Sequence, residues 1–423
     1  MTLKKLYGAA GKILAVTTMT LIISLMFVQG AGACRYKTLF AFTGWNDGNE
    51  PLGSLIFDQS GALYGTAYGG GDYGHGVIFK LTPNGDGTWT QSVLHSFDFP
   101  DGDKPSAALI FDASGKLYGT TLIGGWDEGG VFQFTPNLDG SWSETMWYDH
   151  PANGYNPSSS LTLDAAGNLY GTTKVGMWWY PGGDCAYPGC GGVFELIRNP
   201  DGSWSDKGLL AFGGGEDGKW PVANLIFDAA GNLYSTASAG GTYGQGLVFE
   251  LMPNPDGTWT KKVLHSFHGK DGSAPSAGLI FDEKGNLYGT TPKGGAYGGG
   301  TVFKLTLGSD GIWRAQVLHS FAADGADGVA PYSSLVRDQK GNFYGTTSGG
   351  GTEGYGTVFK LKHKKGGWTE TVVHSFKNFP GADPYAGLTL DAAGNLYGTT
   401  SGSDWGDCRY HNGPCGSVFE ITP

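Results

Sequence analysis

Charge is scarce in this chain of 423 residues: Asp, Glu, Lys and Arg together make up only 15%. Basic residues are the scarcer sign, 27 Lys and Arg against 38 Asp and Glu, for a formal net charge of −11. That deficit excludes the electrostatic footprint that nucleic acid or anionic lipid requires. Cysteine is sparse too, with five residues, and no second Cys or His pair stands near the close pairs at a zinc-site spacing. The Gly-rich stretches, such as GGGDYGHG at Gly69–Gly76, lack the Lys and Ser or Thr of a phosphate loop. They also precede a strand rather than a helix. What is abundant is glycine, at 76 residues. With so little charge, that abundance points to a turn-rich all-β protein rather than a helical or disordered one.

The chain begins with Lys4, Lys5 and Lys12, then an apolar stretch from about Ile13 to Val28, then the small residues Ala31, Gly32 and Ala33. This is the layout of a secretory signal peptide over 1–33. A single membrane-spanning anchor is the alternative for the same stretch. Cleavage gives a mature domain over 34–423 and makes the net charge −14. Such a chain is expected to be secreted or held at the cell surface. Cys185 with Cys190, and Cys408 with Cys415, are close pairs in corresponding loops, and in an exported protein they read as disulfides. Cys34 is left over. It is a candidate for lipidation, which would anchor the protein to the membrane, although Ala31 stands where a lipobox prefers Leu.

The string LYGTT, or a near copy, recurs seven times. Its Tyr falls at 64, 118, 170, 234, 288, 344 and 397, with spacings of 54, 52, 64, 54, 56 and 53 residues. Each unit reads as four short apolar or aromatic runs bounded by Gly, Asp, Asn and Pro, which is one propeller blade. The run Lys37–Phe42 aligns with a fourth strand such as Val93–Phe97, and the chain closes on a third strand, Val418–Ile421. The expected fold is therefore a closed seven-bladed β-propeller with four antiparallel strands per blade. Its last blade is completed by the N-terminal strand, which removes exposed edges.

The succession LYGTT, GG, VFKL, Trp and VLHSF, seen from Leu287 through Phe321, resembles the GloVer tandem repeat of exported bacterial proteins. The resemblance covers residues 36–423. It implies an exported propeller and carries no settled activity. Many relatives have a C-terminal sorting anchor; here the chain stops at Pro423 after its last strand, so no such anchor is expected. A more distant likeness is to kelch blades, and Asp86–Trp89 looks like a shortened Asp-box.

His95, His265, His319 and His374 occupy one repeat position, which holds Phe40, Tyr148 and Leu210 in other units. Such exchange predicts a packed residue rather than a metal ligand or general base. Trp89, Trp142, Trp204, Trp259, Trp313 and Trp368, one per unit, predict packing between blades. The Asp-Gly turns before each first strand are read as turn chemistry, with Asp101 and Asp103 the nearest approach to a calcium loop. No cofactor and no metal are expected.

If the first strand is innermost, the Gly-rich loops and the Asp-Gly loops share one face. That face would carry Tyr73, Trp126, Tyr243, Tyr297 and Tyr355. The insertion from Lys174 to Gly192 would add Trp178, Trp179 and Tyr180, and the last unit Trp405 and Tyr410. Exposed aromatics on rigid loops point to binding, here by a monomer of a glycan or an extracellular protein. A polysaccharide-active glycosidase or lyase is the alternative. It would draw on Asp127, Glu128, Asp184, Glu216, Asp404 and Asp407, or on His411 with Arg409. A structural cell-surface scaffold is the third reading.

Overall fold

The computed structural model describes residues 34–124, 128–149, 154–177, 185, 189–378, 381–402 and 415–423. The leader reading of 1–33 lies outside them. The seven expected blades are present, each a four-stranded antiparallel sheet. In the fifth, Ile280–Phe281, Leu287–Thr291, Thr301–Leu307 and Trp313–Ser320 follow one another outward. The last blade takes its outer strand, Arg35–Ala41, from the other end of the chain. Arg35 lies opposite Thr422 and Ala41 opposite Ser417. The ring is thus closed as the sequence indicates.

Each letter of LYGTT has its own task. The Leu is fully buried in every blade that has it. The Tyr hydroxyl reaches the Asp that closes the turn between the first two strands, at 3.0–3.3 Å in all seven blades. In blade five, Asp282 also accepts the amides of Lys284 and Asn286, so one carboxylate holds the whole turn. The Gly lies under a ring of the third strand: a Cβ at Gly289 would come 2.7 Å from Cζ of Phe303. The first Thr donates to a carbonyl of the next blade's innermost segment, as Thr66 does to Ala107 at 3.0 Å and Thr290 to Ser333 at 2.9 Å. Replacing Tyr288 with Phe removes one hydrogen bond to a charged acceptor. It is expected to cost about 1–2 kcal/mol in urea unfolding, with the blade intact.

The core lies between the blades. Seven clusters of buried side chains among the described residues each join two neighbours. A bulge in the outer strand makes this possible. Opposite Ile78 and Phe79 the pairing skips from His95 to Val93, leaving Leu94 as the extra residue, and Leu94 packs against blade two. The same skip frees Leu264, Leu318 and Val373 for the next blade, and Leu39 for blade one. Bulges re-aim side chains in this way. Tryptophan packs between blades as expected: Trp142, Trp204, Trp313 and Trp368 meet Tyr64, Tyr118, Tyr234 and Tyr288 edge-on at 6.1–6.5 Å.

The segment just before each first strand is innermost. Gly53, Ala107, Ser159, Ala223, Ala277, Ser333 and Ala386 line an axial cavity of about 160 Å³ with their neighbours. Small side chains are what seven converging strands leave room for.

Candidate functional loop face

Two sets of loops do share one face, and hydrogen bonds hold them together. Asn49 pairs with Gly69, Asp103 with Ile123, Lys219 with Ala239 and Ser273 with Lys293, in each case joining an inter-blade loop to a Gly-rich loop.

At the centre of this face every blade repeats one strained residue. Glu50, Lys104, Asn156, Trp220, Ala274, Ala330 and Asp383 all have φ between 50° and 59°. Each precedes a proline, a position biased toward extended backbone, and none is glycine. The conformation persists because its backbone groups are claimed on both sides. The amides of Lys104 and Trp220 donate to His75 and Cys190 of the preceding blade, at 3.0 and 2.9 Å. Their carbonyls accept from Leu122 and Ser238 of their own blade. In blade five the corresponding donor position is Pro292, which has no N–H. Each of these residues stands two places before a cavity-lining segment, which puts the seven at the cavity end of the loop face.

The backbone there is constant and the side chains are not. Burial raises Glu50 above the usual carboxylate range and pushes Asp383 up to about 6. Tyr68 is raised by burial, then by the charges of Glu50 and Asp103, and Lys104 lies 5.8 Å over its ring. Lys219 lies 4.8 Å over Trp220. Tyr332 and Tyr385, which line the cavity, are 5.4 Å apart.

Farther out, Tyr73, Tyr243 and Tyr297 occupy one position of the Gly-rich loops and are 64%, 59% and 69% exposed. In blade six that position is Glu353; Tyr355, two residues on, aligns with His75 and packs against a buried cluster. Trp126, Trp178, Trp179, Tyr180, Trp405 and Tyr410 lie outside the described residues, as does Cys408. Cys185 and Cys190 form a disulfide with Cα atoms 5.5 Å apart. Cys415 is also disulfide-bonded, and Cys34 is a free, exposed thiol. Trp45, Trp220 and Tyr332 are exposed aromatics of the inter-blade loops that sequence reading passed over. Their signal was that they stand outside the repeated strings. Next to Tyr73 an open depression of about 560 Å³ is lined by Asp72, His95, Asp98 and Asp101.

The repeated histidines do pack, each edge-on to the Phe two residues on. Three also meet an Asp of the following loop: Nε2 to Oδ2 is 2.8 Å for His95 and Asp101, 2.7 Å for His265 and Asp271, and 3.0 Å for His319 and Asp327. Asp103, grouped with Asp101 in the sequence, turns instead to His75 at 3.3 Å. The two carboxylates therefore meet different histidines.

At several junctions the residue two places after the Trp of the next blade takes part. Lys261 binds Asp217. Glu144 and Glu370 face Asp101 and Asp327, and both are pushed up to about 7, by burial first and then by that like charge. Tyr36 stacks on His374 at 4.3 Å, nearly parallel. No Asp follows His374, since Pro380 stands in its place, and burial lowers His374 to about 4.

The sequence profile of the Gloeobacter/Verrucomicrobia repeat matches residues 24–183 and 183–410. No curated protein matches the chain. Among solved structures, a protein from Lactobacillus plantarum is 16% identical, with a TM-score of 0.56 over 81% of this chain and 89% of that one. A protein of unknown function from Dyadobacter fermentans DSM 18053 is 13% identical, with a TM-score of 0.38 over 80% of this chain and 97% of that one. At these identities the first likeness shows the fold alone.

Proposed function

The chain belongs to the Gloeobacter/Verrucomicrobia repeat family, and we propose that it is an exported, non-catalytic module that binds a glycan through its loop face. One observation carries this reading. Tyr73, Tyr243 and Tyr297 expose most of their surface from one repeated loop position, and the loops are fixed by hydrogen bonds to their neighbours. A rigid exposed ring offers an apolar face to the C–H side of a sugar at little entropic cost. Nearby carboxylates and loop amides take the hydroxyls. The chain's formal net charge of −11 does not favour a polyanion. A protein partner is the second reading, favoured by the varied side chains around the cavity mouth.

The test is retention of the purified protein on a panel of plant, fungal and bacterial polysaccharides, with soluble sugars measured in parallel. Retention without release is expected. Changing Tyr73, Tyr243 and Tyr297 together to Ala should weaken retention roughly tenfold or more. Thermal stability should hardly move, because the rings are on the surface. Release of oligosaccharides would overturn the reading in favour of an enzyme. Neither retention nor release would turn attention to a protein partner.

A further inference from the structure

We propose that His319, Asp327 and Glu370 form a binding site for a divalent first-row transition-metal ion of the zinc class, at the junction of blades five and six. The three residues come from two blades. His319 is the last residue but one of the outer strand of blade five, Asp327 is in the loop that follows, and Glu370 is on the outer strand of blade six. One donor atom from each lies within 4.8 Å of the other two.

Two ligands bound at 2.0–2.2 Å and a right or tetrahedral angle are themselves about 3.0–3.5 Å apart. Nε2 of His319 and Oδ2 of Asp327, at 3.0 Å, already have that separation. The carboxylate of Glu370 lies within 4.8 Å of both. Oε1 of Glu370 is buried without a hydrogen-bond partner, and such an atom calls for a donor or a cation. Asp327 is held by backbone amides: Oδ2, the oxygen that meets His319, also accepts from Ala322 at 3.0 Å, and Oδ1 accepts from Gly328 at 2.7 Å. A carboxylate held in this way is oriented before any ion arrives. One imidazole nitrogen with two carboxylate oxygens suits zinc-like ions. Calcium would take six or more oxygens. His319 and Asp327 keep some exposure, which leaves an ion a path in and a position for water.

Three of the other junctions show how the same place is satisfied without an ion. Between blades three and four, Lys261 replaces Glu370 and pairs with Asp217. Between blades four and five the position is Ala315, and Asp271 is shared by His265 and His268. Between blades six and seven, Tyr36 stacks on His374. Only Glu144, beside His95 and Asp101, repeats the residue types of the proposed site among the described junctions, and its donors do not come within the same 4.8 Å.

The experiment is titration of the chelator-stripped, oxidised protein with Zn²⁺ by calorimetry, with Ca²⁺ in a parallel arm. Uptake of one Zn²⁺ per chain and a rise in melting temperature are expected. Both should be lost, or the affinity lowered at least about tenfold, in His319→Asn and in Glu370→Lys. Glu370→Lys copies the Lys261–Asp217 junction, so without metal it should melt no lower than the unmodified protein. That separates loss of a ligand from loss of fold, and Glu144→Gln should bind Zn²⁺ normally. Absence of stoichiometric uptake, uptake unchanged in both junction variants, loss in Glu144→Gln instead, or preference for Ca²⁺ would each overturn the assignment.

Discussion

A chain lacking residues 34–42 is expected to fail to fold stably, even though it keeps every repeat string. Without Arg35–Ala41 the last blade has three strands, and its third strand, Ser417–Thr422, becomes an open edge. The deletion also removes Leu39 and Phe42, both buried against blade one. Phe42 lies 5.1 Å from the ring of Phe79. Cutting one such Phe to Ala costs about 3–5 kcal/mol, and a buried Leu about 2–5. The sum rivals the whole stability of a typical domain, about 5–15 kcal/mol. Urea unfolding and size-exclusion chromatography of the deletion and of Phe42→Ala would measure it. Adding a peptide of residues 34–42 should restore part of the lost stability, since the open edge is a template for that strand. An unchanged urea midpoint in the deletion would mean that the ring does not depend on this closure.

Acid should loosen the same closure from its other side. His374 stacks on Tyr36 of the N-terminal strand, and burial lowers it from 6.5 to about 4. Between those values the unfolded chain binds more protons than the folded one, so stability falls with falling pH. The contribution is complete above about pH 7.5 and is lost progressively from pH 6.5 down to about 4. The nominal shift corresponds to about 3 kcal/mol. Partial solvent exposure of the ring reduces that to roughly 2 kcal/mol. His374→Phe removes the titration and keeps an aromatic ring against Tyr36. Phe40 holds the same repeat position on the N-terminal strand, so the exchange has a precedent within the fold. The difference in unfolding free energy between the two proteins, measured at pH 7.5, 5.5 and 4.5, should change by that amount in favour of the variant. Glu144 and Glu370 titrate in the opposite sense but are common to both, so parallel curves would refute the role given to His374.

The architecture could be read in advance because it depends on short-range strings. LYGTT places its Leu, Tyr, Gly and Thr in one strand, and the Asp that the Tyr meets is always six residues earlier. Ring closure was legible because a fourth-strand string was left over at the start. The His–Asp contacts were not. The Asp follows at six residues in two blades and at eight in another, and the third member of each junction is contributed by the next blade. Reading the histidine position as freely exchangeable was correct for packing. It hid the covariation: where Asp is missing, the His meets Tyr36 instead. The seven left-handed residues were hidden for a different reason. A residue before proline is ordinarily extended, and only inter-blade hydrogen bonds, which no single unit contains, override that preference. The candidate face was legible as a set of loops and aromatic residues. It was not legible as a display of six kinds of side chain at seven places on one fixed backbone.

The strand that closes the ring also sets a timetable. Arg35 pairs with Thr422, so the first part of the propeller to be synthesised waits for the last. Blades one to six can condense in order, each on its predecessor, but the chain has no finished edge until its final strand has emerged. A contact of such sequence separation forms late and slowly, and the partly built disc exposes two unpaired edges in the meantime. Slow final closure leaves a long interval before the structure locks.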